Sequence, residues 1–326
     1  MKTRLRLALQ KKGRLAQESI RLLQQCGLQF RIKDNALLTH VENFPVDLLF
    51  VRDDDIPTLV FDGLCDGGIL GENVLFEAAL RTKKVSYKTI LTLDSCYCRL
   101  AIAVPEAFDY QGPGSLEGKR IATSYPYLLQ QYLDQHQIRA ELLLLSGSVE
   151  VAPRMGMADA ICDLVSSGQT LEENKLVAVD TVLESRATLI QASHAMTDVN
   201  SELLESVMVS ASKARLGEQR SKSLAKDAET MTDNELFNLL ARRIQAVQHA
   251  IERKYIVFHA PKTALTRICE QLPGAESPTI MPLPGNPDKV AVHVVSSEGI
   301  FWNTLETIQS LGASSILVLP IEKILE

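Results

Sequence analysis

Apolar and polar positions along this chain switch between two periods, and the switching outlines an α/β protein. Residues 4–10 alternate charged and apolar side chains, which predicts an opening strand. Leu15, Ser19, Leu22, Leu23 and Cys26 then fall on one helical stripe that Gly27 ends. The same succession recurs. Residues 46–51 form an apolar run, and three aspartates with Pro57 cap a helix from Ile56 to Gly63. Residues 65–70 predict a short strand whose glycines, on both sides of its end, point to close approach of backbone to a ligand or another element. A polar interval follows, and then residues 96–104 predict a strand with Arg99 in its interior, a charge that needs a partner or a cleft. Further on come strand 121–123, a helix from Pro126 to about Gln135, strand 140–145, a helix 151–157 with Pro153 in its first turn, and the segment 158–171, a short buried strand that runs into a turn and then a helix.

Strands alternating with helices predict parallel sheets covered on both faces. One lobe is expected over residues 1–95 with a returning strand at 179–191, and a second over 96–178, leaving a cleft between them. From residue 192 the composition turns to Ser, Lys, Asp, Glu and Met, which marks 192–253 as a linker and helical connection, its firm part an amphipathic helix over 234–253. Residues 254–326 read β-α-β-β-α-β, the order of a ferredoxin-like domain. The length of 326 residues suits two or three domains. No stretch approaches the roughly 18 consecutive apolar residues of a membrane helix, and the first ten residues lack a secretory signal, so a cytoplasmic, non-membrane protein is expected. Its formal charge of -6 argues against nucleic acid as a partner. The six cysteines include no C-x-x-C pair and are expected to be reduced and largely buried.

Candidate chemistry gathers at strand ends. Neither a Walker A loop, G-x-G-x-x-G, G-x-S-x-G nor H-E-x-x-H occurs, and the six histidines form no local ligand pair. Lys11, Lys12, Arg14, Arg52 and Arg99 instead place cations near predicted strand ends, an arrangement suited to a polyphosphate. After Asp163, a turn of Ser166, Ser167, Gly168, Gln169, Thr170 and Leu171 offers hydroxyls, a glycine and a helix start to one phosphate, while Asp163 itself is suited to sugar hydroxyls or a metal. An ordinary strand-to-helix connection has the same composition.

Seven ordered segments decide between these readings: 9–15 (LQKKGRL), 51–57 (VRDDDIP), 67–73 (GGILGEN), 120–126 (RIATSYP), 147–153 (GSVEVAP), 158–171 (ADAICDLVSSGQTL) and 312–321 (GASSILVLPI). Through them the chain resembles the long form of the ATP phosphoribosyltransferases that open histidine biosynthesis. The resemblance implies two lobes like type II periplasmic binding proteins, a C-terminal ferredoxin-like regulatory domain, Mg²⁺, and assembly into dimers and hexamers. It implies that phosphoribosyl pyrophosphate and ATP are the substrates and histidine the inhibitor. By the same resemblance, Asp163 to Leu171 grip the phosphoribosyl group, with Asp163 also a metal candidate. Lys11, Arg14, Arg52 and Arg99 meet polyphosphate or adenine, and Glu72, Tyr125 and Glu150 line the cleft. His259, Thr279, Ser296 and Ser297 are the implied histidine contacts. The family's loop usually carries two adjacent acids, and Cys162 stands here in the place of the first, which leaves the sugar-hydroxyl role to Asp163 alone. The competing expectation is a non-catalytic two-lobed sensor of an anion or nucleotide.

Overall fold

The structure, a computed structural model, describes residues 4–33, 36–166, 168–198, 231–251, 253–271 and 278–325. The chain divides into two compact units, Met1–Ala241 and Arg242–Glu326.

In the first unit the strands are β1 (Leu5–Gln10), β2 (Leu38–His40), β3 (Val46–Val51), β4 (Gly67–Gly71), β5 (Lys84–Pro105), β6 (Arg120–Thr123), β7 (Glu141–Leu144), β8 (Ala160–Val165) and β9 (Leu176–Asp198). Its helices are α1 (Arg14–Gln25), α2 (Ile56–Phe61), α3 (Glu72–Thr82), α4 (Pro126–Gln135) and α5 (Gln169–Glu173). All nine strands join one sheet in the order β2-β3-β1-β4-β9-β5-β8-β6-β7. At one end β1 lies parallel to both β3 and β4, and at the other β6 lies parallel to both β7 and β8. Between these two parallel sets run β5 and β9, antiparallel to each other and to β8 and β4 respectively. The sheet is therefore mixed, and the expected pair of purely parallel sheets is corrected.

The correction has a local cause. The polar interval before residue 96 is α3 followed by the first half of β5, a strand of 22 residues. Likewise the strand expected to begin at Thr181 is part of β9, which is 23 residues long. In the first half of β5 the buried Val85, Ile90 and Leu93 are interspersed with Lys88, Thr89 and Thr92. Such interruption is the mark of an antiparallel strand rather than of a parallel one buried on both faces. The helix expected over 151–157 is also absent. A single 3-10 turn at Val149–Val151 gives way to turns, because Pro153 has no N–H to continue it and Gly156 at φ 71° ends the bend.

One core joins the two halves, running from Ile56, Val60, Leu70 and Leu75 through Leu100 and Ile102 to Leu129, Leu133 and Ala160. The glycines near the end of β4 make room for neighbouring elements. A Cβ on Gly67 would lie 2.5 Å from the Ile190 carbonyl oxygen and 2.5 Å from the ring of Phe237, so close approach of other elements is what this strand requires.

Helix α6 (Asp233–Ile251) spans the division between the units. The second unit then runs β10 (Arg253–Pro261), α7 (Leu265–Gln271), β11 (Thr279–Pro282), β12 (Lys289–Ser297), α8 (Glu298–Ser310) and β13 (Ser314–Pro320). Its sheet, ordered β11-β12-β10-β13, is antiparallel throughout. That order, with the first strand beside the third and fourth, is the ferredoxin-like arrangement. Ile256, Phe258, Val292 and Val294 cover one sheet face against Ile268 and Ile308 from α7 and α8. Most of the polar stretch beyond residue 192, from 199 to 230, lies outside the described residues.

Candidate functional site

The predicted residues collect at the carboxyl ends of the parallel strands, where open α/β sheets bind their ligands. Lys11 and Arg14 follow β1, Arg52 follows β3, and Glu72 follows β4. In the second half Tyr125 follows β6, Glu150 follows β7, and Asp163 leads β8 into Ser166, Gly168, Gln169, Thr170 and Leu171. Ser167 lies outside the described residues. Lys11, Arg14, Arg52 and Arg99 are all exposed. Arg99, inside β5, pairs with Val165 of β8 and Glu184 of β9.

Asp163 is the best developed acid of the set. Burial pushes its carboxyl above the usual range, the Leu164 N–H at 2.8 Å opposes this, and the negative charge of Glu150 adds to it. Tyr125 lies within electrostatic reach of Asp163 and also of Asp53 and Asp54. Burial raises its hydroxyl most, the bond from Asn73 opposes, and those three carboxylates add. Residues from both halves of the sheet thus meet around Tyr125. Gly168 takes φ 82° and opens α5, whose Leu171 is buried while Gln169 and Thr170 face outward. Cys162 is fully buried on β8, its thiol pushed upward by burial, and offers no charge in place of an acid. None of the six cysteines is in a disulfide; Cys26, Cys65 and Cys162 are buried and Cys96, Cys98 and Cys269 are half-buried.

Three groups near this place escape sequence reading. Between Leu93 and Cys98, β5 carries four residues opposite the single Arg186 of β9, and Cys96 takes φ 59° to accommodate them. The interruption is met by α3. Glu72 accepts the Arg186 N–H at 3.0 Å. Burial raises the Glu72 carboxyl, with the Arg186 N–H and charge and a Thr92 hydrogen bond opposing. Asn73 donates its backbone N–H to the Ser185 hydroxyl at 3.1 Å, accepts that hydroxyl's proton at 2.9 Å, and donates its amide to the Tyr125 hydroxyl at 3.0 Å. One turn later on α3, Glu77 accepts the N–H groups of Tyr127 and Leu128 at 2.9 and 2.8 Å. The local signal for Glu77 is an omission. A helix opening Tyr125-Pro126 has no Ser, Thr, Asp or Asn at its cap, so the capping oxygen must come from elsewhere.

In the second unit, His259 is half-buried on β10, opposite Ala291 and Ser314. Thr279 is exposed on β11 opposite His293, whose Nδ1 lies 2.7 Å from the Tyr255 hydroxyl. Ser297 ends β12 opposite Arg253. Ser296 alternates with these toward the helix-covered face, buried, its hydroxyl without a partner among the described residues. Among the described residues no three His, Cys, Asp or Glu side chains stand close enough to hold a metal. No helix among them is long and apolar enough to cross a membrane.

Comparison with known proteins bears on the family and the fold. The family model for ATP phosphoribosyltransferase matches residues 52–213, and that for the HisG C-terminal domain matches residues 250–323. Among solved structures, the ATP phosphoribosyl transferase (HisG:HisZ) complex from Thermotoga maritima aligns with 74% of this chain and 98% of that one, at TM-score 0.52 and 24% identity, a likeness of fold. The aliphatic sulphonate binding protein SsuA from Escherichia coli aligns more faintly, over 74% of this chain and 78% of that one, at TM-score 0.40 and 15% identity. With both family models in sequence order over most of its length, the chain belongs to the ATP phosphoribosyltransferase family, in the long form that carries the C-terminal domain.

Proposed function

We propose that this enzyme transfers the 5-phosphoribosyl group of phosphoribosyl pyrophosphate to N1 of ATP, releasing pyrophosphate, as the first step of histidine biosynthesis. The observation that carries the reading is the match of both family models, and the 3.0 Å hydrogen bond from Asn73 to the Tyr125 hydroxyl brings strand ends from both halves of one sheet together. Asp163 and the turn Ser166, Ser167, Gly168, Gln169, Thr170 and Leu171 hold the ribose and its 5-phosphate. The exposed Lys11, Arg14, Arg52 and Arg99 hold the triphosphate and pyrophosphate, with Glu72, Tyr125 and Glu150 lining the cleft.

The chemistry asks for no protein nucleophile. As the bond from ribose C1 to pyrophosphate breaks, positive charge develops on the ribose, and the neutral N1 of adenine attacks C1 with its own electron pair. The protein's work is to align N1 with C1 and to neutralise the departing phosphates, which exposed arginines at strand ends are suited to do. Asp163 would be the carboxylate available to help hold Mg²⁺, which when bound would add to the neutralisation of the departing pyrophosphate. Histidine acts through the second unit, at His259, Thr279 and Ser297, in a cytoplasmic enzyme that assembles as dimers and hexamers; Ser296, expected among these contacts, is buried toward the helix-covered face and is left out of them.

Incubating the protein with ATP, phosphoribosyl pyrophosphate and Mg²⁺ while following pyrophosphate release and ultraviolet absorbance tests this. Turnover is expected, with Arg52→Ala lowering it about 10²-fold or more. Binding of both substrates without release of pyrophosphate would move the reading to the sensor, and an Arg52→Ala rate equal to that of the wild type removes Arg52 from charge stabilisation.

A further inference from the structure

Helix α4 begins without a cap of its own. Its N-cap residue is Tyr125, which makes no side-chain capping bond, and the hydroxyl of the preceding Ser124 donates instead to the Leu145 carbonyl at 2.7 Å. A helix start leaves several N–H groups without intrahelical partners, and burying them unpaired is costly. Here the partner comes from the other half of the sheet. Asn73 and Glu77 stand four residues apart on α3, hence on one face. Asn73 reaches the Tyr125 hydroxyl, and Glu77 spans the N–H groups of Tyr127 and Leu128 with one carboxylate oxygen on each. The Asn73 amide is itself fixed by Ser185 on the crossing strand, and the space it folds into exists because residue 71 is glycine: a Cβ there would lie 2.3 Å from Asn73 Oδ1.

We propose that Glu77, with Asn73, is a positioning residue for the transfer site, clasping the first turn of α4 so that Tyr125 is held where the two halves of the sheet meet. Glu77 makes no contact with substrate in this role; it acts through Tyr125. A carboxylate suits the task because it is acceptor-only, offers an oxygen to each N–H, and complements the positive end of the helix dipole. An amide in its place accepts through one oxygen and turns a donor toward the second N–H. The inference rests on the phosphoribosyl-transfer reading for what Tyr125 is positioned to do, whereas the clasp itself does not.

The test is a double-mutant cycle on the full chain with Glu77→Gln, Tyr125→Phe and the double variant, each measured for kcat, KM and thermal midpoint. Glu77→Gln is expected to fold and to lose roughly tenfold in kcat/KM, mostly in KM. In the Tyr125→Phe background the same change is expected to cost less than about threefold, because the hydroxyl that the clasp holds is already gone. An equal loss in both backgrounds, or none in either, overturns the proposal. Should Glu77→Gln fail to fold, Asn73→Ala against Tyr125→Phe makes the same comparison, with additivity again overturning it. Hydrogen exchange separates this from the function: the Tyr127 and Leu128 amides are expected to exchange faster in Glu77→Gln than in wild type, whether or not the wild type turns over. Unchanged exchange sinks the clasp, while an inactive wild type with a responsive clasp counts against the transfer reading alone.

Discussion

Several side chains in the site are acids kept from water, and their protonation sets a pH signature. Glu72, Glu77 and Asp163 all have carboxyls raised above the usual range, with burial the largest cause in each. A raised value means that the folded chain binds the proton more tightly than the unfolded chain. Between the ordinary value and the raised one the folded state therefore carries more protons, and each group's contribution to stability falls as pH rises through that window. Glu72→Gln removes one such group while keeping an oxygen for the Arg186 N–H. Its thermal midpoint relative to wild type is expected to improve progressively as pH rises from the ordinary carboxyl value of 4.5 through the raised one. A difference that stays flat across melts at a series of pH values contradicts this. At this scale the sequence disclosed the acids and cations near strand ends but not the partners of Glu72. The reason is physical: the Arg186 N–H is available only because β5 bulges opposite it, and a bulge between two strands about ninety positions apart leaves no local pattern.

Among elements, α6 and β4 show how a local signal can be sound while its partner stays hidden. The glycines at 67 and 68 announce close approach, yet nothing near them names Phe237, more than 150 positions further on. Phe237 is 1% exposed and lies against Gly67, so the helix that follows the polar stretch belongs partly to the core of the first unit. Phe237→Ala is expected to cost about 3–5 kcal/mol in denaturant unfolding of that unit. Gly67→Ala should also destabilise it, because its new methyl meets a backbone carbonyl that cannot swing away as a side chain can. Wild-type midpoints for both variants would show that the contact carries no weight. The helical stripes of α1 and α6 and the β-α-β-β-α-β order were readable because their periods are local. The crossing strands were not, since a strand that serves both halves of a sheet changes its neighbours, and hence its pattern of burial, midway along its length.

For the molecule as a whole, an acidic chain that is to hold polyanions must keep its cations in a few places, and the exposed Lys11, Arg14, Arg52 and Arg99 are the ones the proposed transfer would use in the first unit. For the proposed histidine effect the second unit has a different kind of surface. Its core is satisfied on the helix-covered face by Ile256, Phe258, Val292 and Val294, which leaves the half-buried His259 and the exposed Thr279 to change without disturbing it. If histidine binds along these strands, it is recognised by hydrogen bonds to hydroxyl and imidazole groups, each worth about 0.5–1.5 kcal/mol net, or more when one partner is charged. His259→Ala and Thr279→Ala are therefore each expected to raise the histidine concentration for half-inhibition by about three- to tenfold, measured against each variant's own uninhibited rate. Inhibition curves that overlay the wild type in both variants would move the effector site off this sheet. A change confined to one of them would narrow it, since His259 lies on β10 and Thr279 on the edge strand β11, with β12 between them.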